Sequence, residues 1–202
     1  MTTSRPPRRR APSIDVVIES TRWRHVPRAA TVVRRAIAAA APARNAELSV
    51  ILTSDRAIRT LNRRWRGRDK PTNVLSFPAP AQALDKLPRG APRHLGDIVL
   101  AYETVAREAR AEGKPLDHHI AHLALHGFLH LLGYDHESHG QAEAMERRER
   151  RILARLGVPD PYADRGRISR RKPAPELIRG GRRFADKDMR RKNSTSDQRS
   201  HG

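Results

Sequence analysis

The sequence of 202 residues contains no cysteine, which excludes disulfide bonds and thiolate metal sites. A reducing compartment is therefore permitted, and the cytoplasm is the expected location. No apolar run approaches the roughly 20 residues of a membrane span. The basic N-terminus is followed only by the short apolar stretch IDVVI, so a signal peptide is not expected. Aromatic residues make up 4% of the chain, which leaves little material for base-stacking surfaces.

Positive charge is what the sequence has in excess. The 41 Lys and Arg residues outnumber the 22 Asp and Glu residues, and the formal net charge is +19. Such an excess favours a polyanion as partner, most often nucleic acid, because cations that neutralise phosphates release condensed counterions. Acidic lipid head groups are the competing partner.

The charge is concentrated at the two ends of the chain. Residues 1–13 carry a net charge of +4 and residues 163–202 a net charge of +8. We therefore expect a disordered basic extension at 1–13, one folded domain at 14–162 and a disordered basic tail at 163–202. The tail is either a solvated extension or an arm that adds nucleic-acid affinity without specificity.

Within the domain, strands come early and helices come late. Strands are predicted at IDVVIES, ELSVILT, NVLSF and GDIVLA, and helices at 27–41, from a cap at 53–55 onward, and at 103–112, 117–132 and 141–156. In the second helix, Ile58, Leu61 and Trp65 share one stripe. This order predicts a single α+β domain in which a small mixed β-sheet packs against several helices.

Histidines concentrate in the stretch HGFLHLLGYDH, residues 126–136. His126 and His130 are four residues apart on a predicted helix, so their side chains stand one turn apart on one face. Gly133 can adopt the left-handed conformation that ends a helix, and the following turn can bring His136 back towards the same ion. Three imidazoles with an open fourth position are typical of a catalytic zinc site, in which the ion lowers the pKa of bound water towards about 7. The sequence thus predicts a metal-binding central helix.

The spacing leaves alternatives open, because seven histidines fall between residues 118 and 139. His122, His126 and His130 form a second possible ligand set, and His122 could instead orient a ligand. A merely polar helix face also fits. The zinc-protease pattern H-E-x-x-H places a glutamate after the first histidine as general base, but Gly127 occupies that place. A peptidase is therefore disfavoured.

Two long motifs and two short ones resemble a known family. HGFLHLLGYDH resembles the signature of the YbeY family of bacterial endoribonucleases and rRNA maturation factors, and LNRRWRGRDKPTNVLSFP at 61–78 resembles that family's second diagnostic stretch. GDIVL at 96–100 is similar to a third block, and LGVPDPY at 156–162 to the family's ending. The blocks stand in the family's order, so the resemblance covers about residues 14–162. Trp65 is a departure, since the family often has tyrosine in that place.

The resemblance implies a single-strand-specific, zinc-dependent endoribonuclease that acts in 16S rRNA 3′-end maturation and late-stage ribosome quality control. It implies one Zn²⁺ ion held by His126, His130 and His136 with water as the fourth ligand, and no small-molecule cofactor. The implied partners are single-stranded RNA, 16S rRNA and ribosomal particles, with no membrane. Arg66 matches an arginine that is functionally important in the family, and its implied role is to hold the scissile phosphate or offset the charge that develops there.

The chemistry of the second block agrees with this implication. Five basic residues cluster where a helix gives way to a loop: Arg63, Arg64, Arg66, Arg68 and Lys70. Guanidinium groups bind phosphate oxygens in a planar, bidentate geometry, which suits a surface that grips a nucleic-acid backbone.

Two other functions fit the sequence as well. One is a ribosome-assembly or rRNA-binding factor in which the metal is structural and cleavage is not essential. The other is a metallohydrolase of a different substrate. The sequence assigns no general base, and it does not decide between water and the RNA 2′-hydroxyl as nucleophile.

Overall fold

A computed structural model describes residues 12–40, 46–80, 88, 91–135 and 138–163. The predicted disorder of the basic extension and of the basic tail falls almost entirely outside these residues, as does His136. The domain boundaries at 14 and 162 and the role of His136 therefore stay predictions.

Four strands and five α-helices follow one another along the described part of the chain, and they confirm a single α+β domain. The elements are β1 Ser13–Ile18, a 3₁₀ helix Thr21–His25, α1 Ala29–Ala40, β2 Ala46–Thr53, α2 Asp55–Arg66, β3 Val74–Pro78, β4 Arg93–Ala101, α3 Tyr102–Ala111, α4 Leu116–Leu131 and α5 His139–Arg155. Ser54 caps α2 by accepting a hydrogen bond from the Ala57 amide, within the predicted window of 53–55. None of these helices has the length and the apolarity that crossing a membrane requires.

The strands form one mixed sheet with the order β1–β2–β4–β3. β1, β2 and β4 run parallel, whereas β3 runs antiparallel to β4 at one edge. The two inner strands, β2 and β4, end in the mostly apolar runs VILT and DIVLA. Residues of these runs are buried on both faces of the sheet. The sheet is therefore covered by helices on both sides.

The two faces of the sheet have different helices. On the first face, α1, α4 and α5 pack over strand residues that include Val50, Ile98 and Leu100. On the second face, Ile58 and Leu61 of α2 belong to a smaller cluster with residues of β2, β3 and β4. α4 is almost entirely buried and forms the central helix of the first face.

Gly127 of α4 lies in close contact with the edge of the sheet. Its carbonyl accepts a hydrogen bond of 3.1 Å from the hydroxyl of Ser76 in β3. A Cβ atom at this position would stand 2.9 Å from Cγ2 of Ile98 and 3.0 Å from the Ser76 hydroxyl. The glutamate of the zinc-protease pattern is therefore sterically excluded here, which explains why the sequence has glycine.

Replacing Gly127 by alanine is expected to lower the free energy of unfolding by about 1 kcal/mol or more, because the overpacking outweighs the gain in helix propensity. Denaturant titration measures this change. Gly140→Ala in α5 is the matched control, since a Cβ there has nothing within 4 Å, and it should be neutral or stabilising. Equal behaviour of the two variants would show that α4 can shift away from β3 at little cost.

Candidate active site

Four histidines line one face of α4 at helical spacing, as the sequence predicted. The ring centroids are 6.4 Å apart for His119 and His122, 6.1 Å for His122 and His126, and 4.7 Å for His126 and His130. The rings of His126 and His130 are both buried. The structure therefore brings together two of the three histidines in the predicted metal site.

Hydrogen bonds at Nδ1 determine the tautomers of both buried rings. His130 Nδ1 lies 2.9 Å from the carbonyl oxygen of Tyr134, which can only accept, so this nitrogen donates. His126 Nδ1 lies 2.8 Å from Oε1 of Glu149 and donates to the carboxylate in the same way. In the neutral rings, both Nε2 atoms consequently carry a lone pair.

The two Nε2 atoms face each other at a distance of 3.0 Å. Two lone pairs at that distance repel each other unless a proton or a cation lies between them. Imidazole nitrogens whose other N–H is held by a carboxylate or a backbone carbonyl are the usual arrangement of histidine ligands in metal sites. The donor atoms of His126 and His130 therefore fit a metal ion bound on the Nε2 side.

Gly133 ends α4 and positions the backbone carbonyl that accepts a hydrogen bond from His130. Its φ angle of 89° lies in the left-handed region, as the sequence predicted. The backbone amide of Tyr134 donates back to the carbonyl of Leu129 at 3.1 Å, which folds the chain over the end of the helix. This turn places the Tyr134 carbonyl against the His130 ring.

Glu149 of α5 is fully buried and is shared by two donors. It accepts from His126 Nδ1 on one oxygen and from the Tyr162 hydroxyl on the other. Burial alone would raise the pKa of Glu149, but the charge and hydrogen bond of His126, with further contributions from His122 and Tyr162, lower that pKa to about 2. At neutral pH the side chain is a carboxylate, suited to orient the His126 ring.

Glu149 is not among the predicted site residues, although the sequence carries a signal for it. The residue occupies a core position of α5, four residues after Met145 and three before Ile152, both of which are buried. An acidic residue within the apolar stripe of a helix requires a buried partner. That partner, His126, lies 23 positions earlier in the sequence, so no local pattern links the two.

His122 provides a second way to arrange a metal site. Its Nε2 lies 3.3 Å from the Tyr162 hydroxyl and 3.9 Å from Oε2 of Glu149. Ligand atoms of His122, His126 and Glu149 all lie within 4.8 Å of one another, a group that could hold a metal ion. Burial, partly offset by the charge of Glu149, lowers the pKa of His122 to about 4, so its ring is neutral at pH 7.

The two ring nitrogens of His126 have different neighbours. Nδ1 of His126 faces Glu149, whereas Nε2 faces His130. Either Glu149 is a metal ligand with His122, or it is the hydrogen-bond acceptor that orients His126 for an ion shared with His130.

Arg66 is the last residue of α2 and is half-buried on the second face of the sheet. Burial, and then the charge of Arg68, lower the pKa of Arg66, although an arginine remains charged at neutral pH. The preceding residue, Trp65, contacts Phe77 of β3, while Ser76 contacts α4 on the first face. Phe77 and Ser76 are neighbours in the edge strand β3, so α2 and α4 pack against this strand from opposite faces. The role of Arg66 in the reaction stays a prediction.

The other basic residues of this block surround the end of α2. Arg63, Arg64, Arg68 and Lys70 are exposed, and with Arg66 they form what we call the basic end of α2. The side-chain amide of Asn62 donates to the carbonyl of Lys70 at 2.7 Å, which holds the following loop against the helix. The helix ends at Arg66, so the predicted change from helix to loop among these cations is confirmed.

A central helix with a buried histidine pair and an ionised carboxylate behind it defines an α+β domain with a candidate metal centre. The family model described as "Endoribonuclease YbeY" matches residues 16–157, and the chain belongs to this family.

Several curated relatives are similar to most of the chain. The endoribonuclease YbeY of Rhodopseudomonas palustris (strain BisA53) is 59% identical over 161 residues, which cover 77% of this chain and 93% of the relative. The proteins of the same description from Bradyrhizobium sp. (strain BTAi1) and Nitrobacter winogradskyi are 56% and 54% identical over 78% of this chain, covering 96% and 86% of their own lengths.

Among solved structures, the solution structure of TM1509 from Thermotoga maritima aligns with 81% of this chain and 99% of that chain. The sequence identity is 21% and the TM-score is 0.45.

Proposed function

We propose that this chain is a single-strand-specific, metal-dependent endoribonuclease that acts in 16S rRNA 3′-end maturation and late-stage ribosome quality control in the cytoplasm. The observation that carries the proposal is the pair of Nε2 atoms 3.0 Å apart, each ring being held from its Nδ1 side. The substrate class is supported by the relatives, which are named as endoribonucleases. The net charge of +19 supports a phosphate-rich partner such as rRNA in a ribosomal particle.

Zinc is the proposed metal, because neutral imidazoles are among its preferred ligands, although they also suit nickel, copper and iron. His126 and His130 would hold the ion through Nε2, with His136 as the proposed third ligand and water as the fourth. When bound, the ion supplies a Lewis acid for a phosphoryl oxygen and lowers the pKa of its water.

The residues of the chain itself would orient the ligands and the RNA. Glu149 and the Tyr134 carbonyl keep the imidazole protons on Nδ1 and fix the planes of the two rings. The basic end of α2 would hold phosphates, which position a strand without conveying sequence information. Arg66 would offset the extra negative charge that develops on the scissile phosphate.

The proposed function is tested by cleavage of an end-labelled single-stranded RNA with the purified full chain, beside a duplex of the same sequence. We expect internal cleavage of the single strand alone, its loss on chelation and its recovery when zinc is added. The His126→Ala protein, purified in the same way, reports any contaminating nuclease. Tight RNA binding without cleavage at any metal concentration would contradict the proposal and favour an assembly factor.

Replacing Glu149 by glutamine is expected to weaken zinc binding by about 10- to 100-fold, since that is the usual cost of losing a partner that orients a ligand. Calorimetric titration of the metal-free protein with zinc measures this change. Glu143→Gln is the matched control, because Glu143 is an exposed acid of the same helix. Unchanged zinc affinity in Glu149→Gln would show that the carboxylate neither binds the ion nor orients His126.

A further inference from the structure

Trp65 is unusually exposed for a large apolar side chain. Within the described residues, the exposed large apolar side chains are Ile18, at 50%, and Trp65, at 36%. Trp23, in contrast, is fully buried, and its indole N–H donates to the carbonyl of Thr53 at 2.8 Å. The stripe of Ile58, Leu61 and Trp65 predicted for α2 is thus buried only at its first two positions.

The exposed indole is held in place on one side and is accompanied by cations. Its ring meets Phe77 of β3 edge to face, with centroids 6.2 Å apart and planes at 75°. The guanidinium carbon of Arg64 lies over the indole ring, 5.4 Å from its centre. Because Trp65 belongs to the last turn of a regular helix, it is presented by a rigid element in the middle of the basic end of α2.

Exposed aromatic rings beside phosphate-binding cations are the chemistry by which proteins bind single-stranded nucleic acid. Every base has a π-face, so stacking on an indole tolerates any sequence. Guanidinium groups nearby can bind the flanking phosphates or stack on the base themselves. The low aromatic content of the chain leaves no extended stacking surface, but one ring is sufficient for one base.

We infer that Trp65 is a nucleobase-stacking subsite, which takes one unpaired base of the RNA while Arg64 and Arg66 contact the adjoining phosphates. This inference rests on the proposed function and adds a physical cause for the preference of the endoribonuclease for single-stranded RNA. A base within a duplex has both faces covered by its neighbours, whereas a base in a single strand can unstack and move onto the indole. Trp65 thereby selects single strands without selecting a sequence.

The charge around Trp65 favours a nucleic acid over a protein as the occupant. The nearest acidic residue in the sequence, Asp69, is engaged by Arg59 through two hydrogen bonds of 2.9 and 2.8 Å. The cations that neighbour Trp65 in the sequence therefore have their nearest acid already paired, which suits a chain of phosphates interrupted by flat apolar bases.

Tryptophan fluorescence tests the inference directly, because the chain has two tryptophans and Trp23 is buried. Metal-free protein is titrated with a single-stranded uridine hexanucleotide in the presence of chelator, so that nothing is cleaved. We expect the oligonucleotide to quench the emission of Trp65. In Trp65→Phe the quenching should disappear while much of the affinity remains, because a phenyl ring still stacks.

The second measurement separates stacking from charge. Trp65→Leu keeps an apolar contact for Phe77 but has no aromatic face, and it should bind the hexanucleotide about tenfold more weakly. The slope of log Kd against log salt should not change, since no phosphate contact is lost. An abasic hexamer with the same phosphates should bind the wild type and Trp65→Leu equally. Ile18→Ala changes the other large apolar side chain that is exposed among the described residues. It is the matched control and should bind as the wild type does.

Equal loss of affinity for the normal and the abasic hexamer, or no loss at all in Trp65→Leu, would overturn the inference. Cleavage and quenching together distinguish a failure of this inference from a failure of the proposed function. If Trp65→Leu cuts RNA normally and the oligonucleotide does not quench Trp65 in the wild type, the subsite is wrong and the ribonuclease stands. If the indole is quenched by bases and the wild type with zinc cuts no RNA, the subsite stands and the ribonuclease is wrong.

Discussion

Replacing His130 by alanine is expected to lower the rate of RNA cleavage by about a thousandfold or more and to remove tight zinc binding. The variant loses one of two Nε2 donors that face each other at 3.0 Å, and the proposed Lewis acid would lower the barrier at the scissile phosphate by several kcal/mol. Single-turnover cleavage and metal analysis of the purified protein measure the two effects.

Two further histidine variants make this result decisive. His118→Ala changes another histidine of α4 outside the proposed ligand sets, and it should keep both zinc and activity. His122→Ala distinguishes the two possible metal sites. If the ion is bound by His122, His126 and Glu149, zinc binding is lost in His122→Ala and kept in His130→Ala, which is the reverse of what we expect.

Replacing Arg66 by glutamine is expected to lower kcat by about 100- to 1000-fold with little change in KM, as for the loss of a group that stabilises charge only in the transition state. The side chain is half-buried at the end of α2, so less of its field is screened by water than for the exposed arginines around it. Arg66→Lys keeps the charge but not the planar fork, and it should recover only part of the rate.

The matched control for Arg66 is Arg151→Gln, an exposed arginine of α5 whose loss changes the net charge by the same amount. It should leave cleavage unchanged. A rise in KM with kcat intact in Arg66→Gln would contradict a role in the transition state. That outcome would agree with the position of α2 on the second face of the sheet, where Arg66 would bind RNA beside Trp65 and not act on the scissile phosphate.

Much of the fold follows from local patterns in the sequence. The predicted helix at 117–132 is α4, Leu116–Leu131, and the strand predicted at ELSVILT is β2, Ala46–Thr53. β4 begins at Arg93, three residues before the predicted start, because the polar residues Arg93 and His94 gain their strand structure only by pairing with β2. The 3₁₀ helix Thr21–His25 was not predicted, since five residues are too few to show a period.

The site was predictable where its residues are close in sequence. His126 and His130 are one helical turn apart, so their spacing alone places them on one face. Glu149 reaches His126 from another helix, and only the packing of α5 against α4 brings the two together. The exposure of Trp65 likewise depends on how far α2 extends over the sheet, which a helical stripe does not reveal.

Because Glu149 and Tyr162 come late in the sequence, the candidate metal centre can become ordered only late in synthesis. Both residues are translated after α4, so the sheet, the histidines and the basic end of α2 emerge from the ribosome first. Until α5 docks, the ring of His126 has no carboxylate to fix its orientation. A nascent chain is thus expected to carry the basic end of α2 before it has an ordered metal centre.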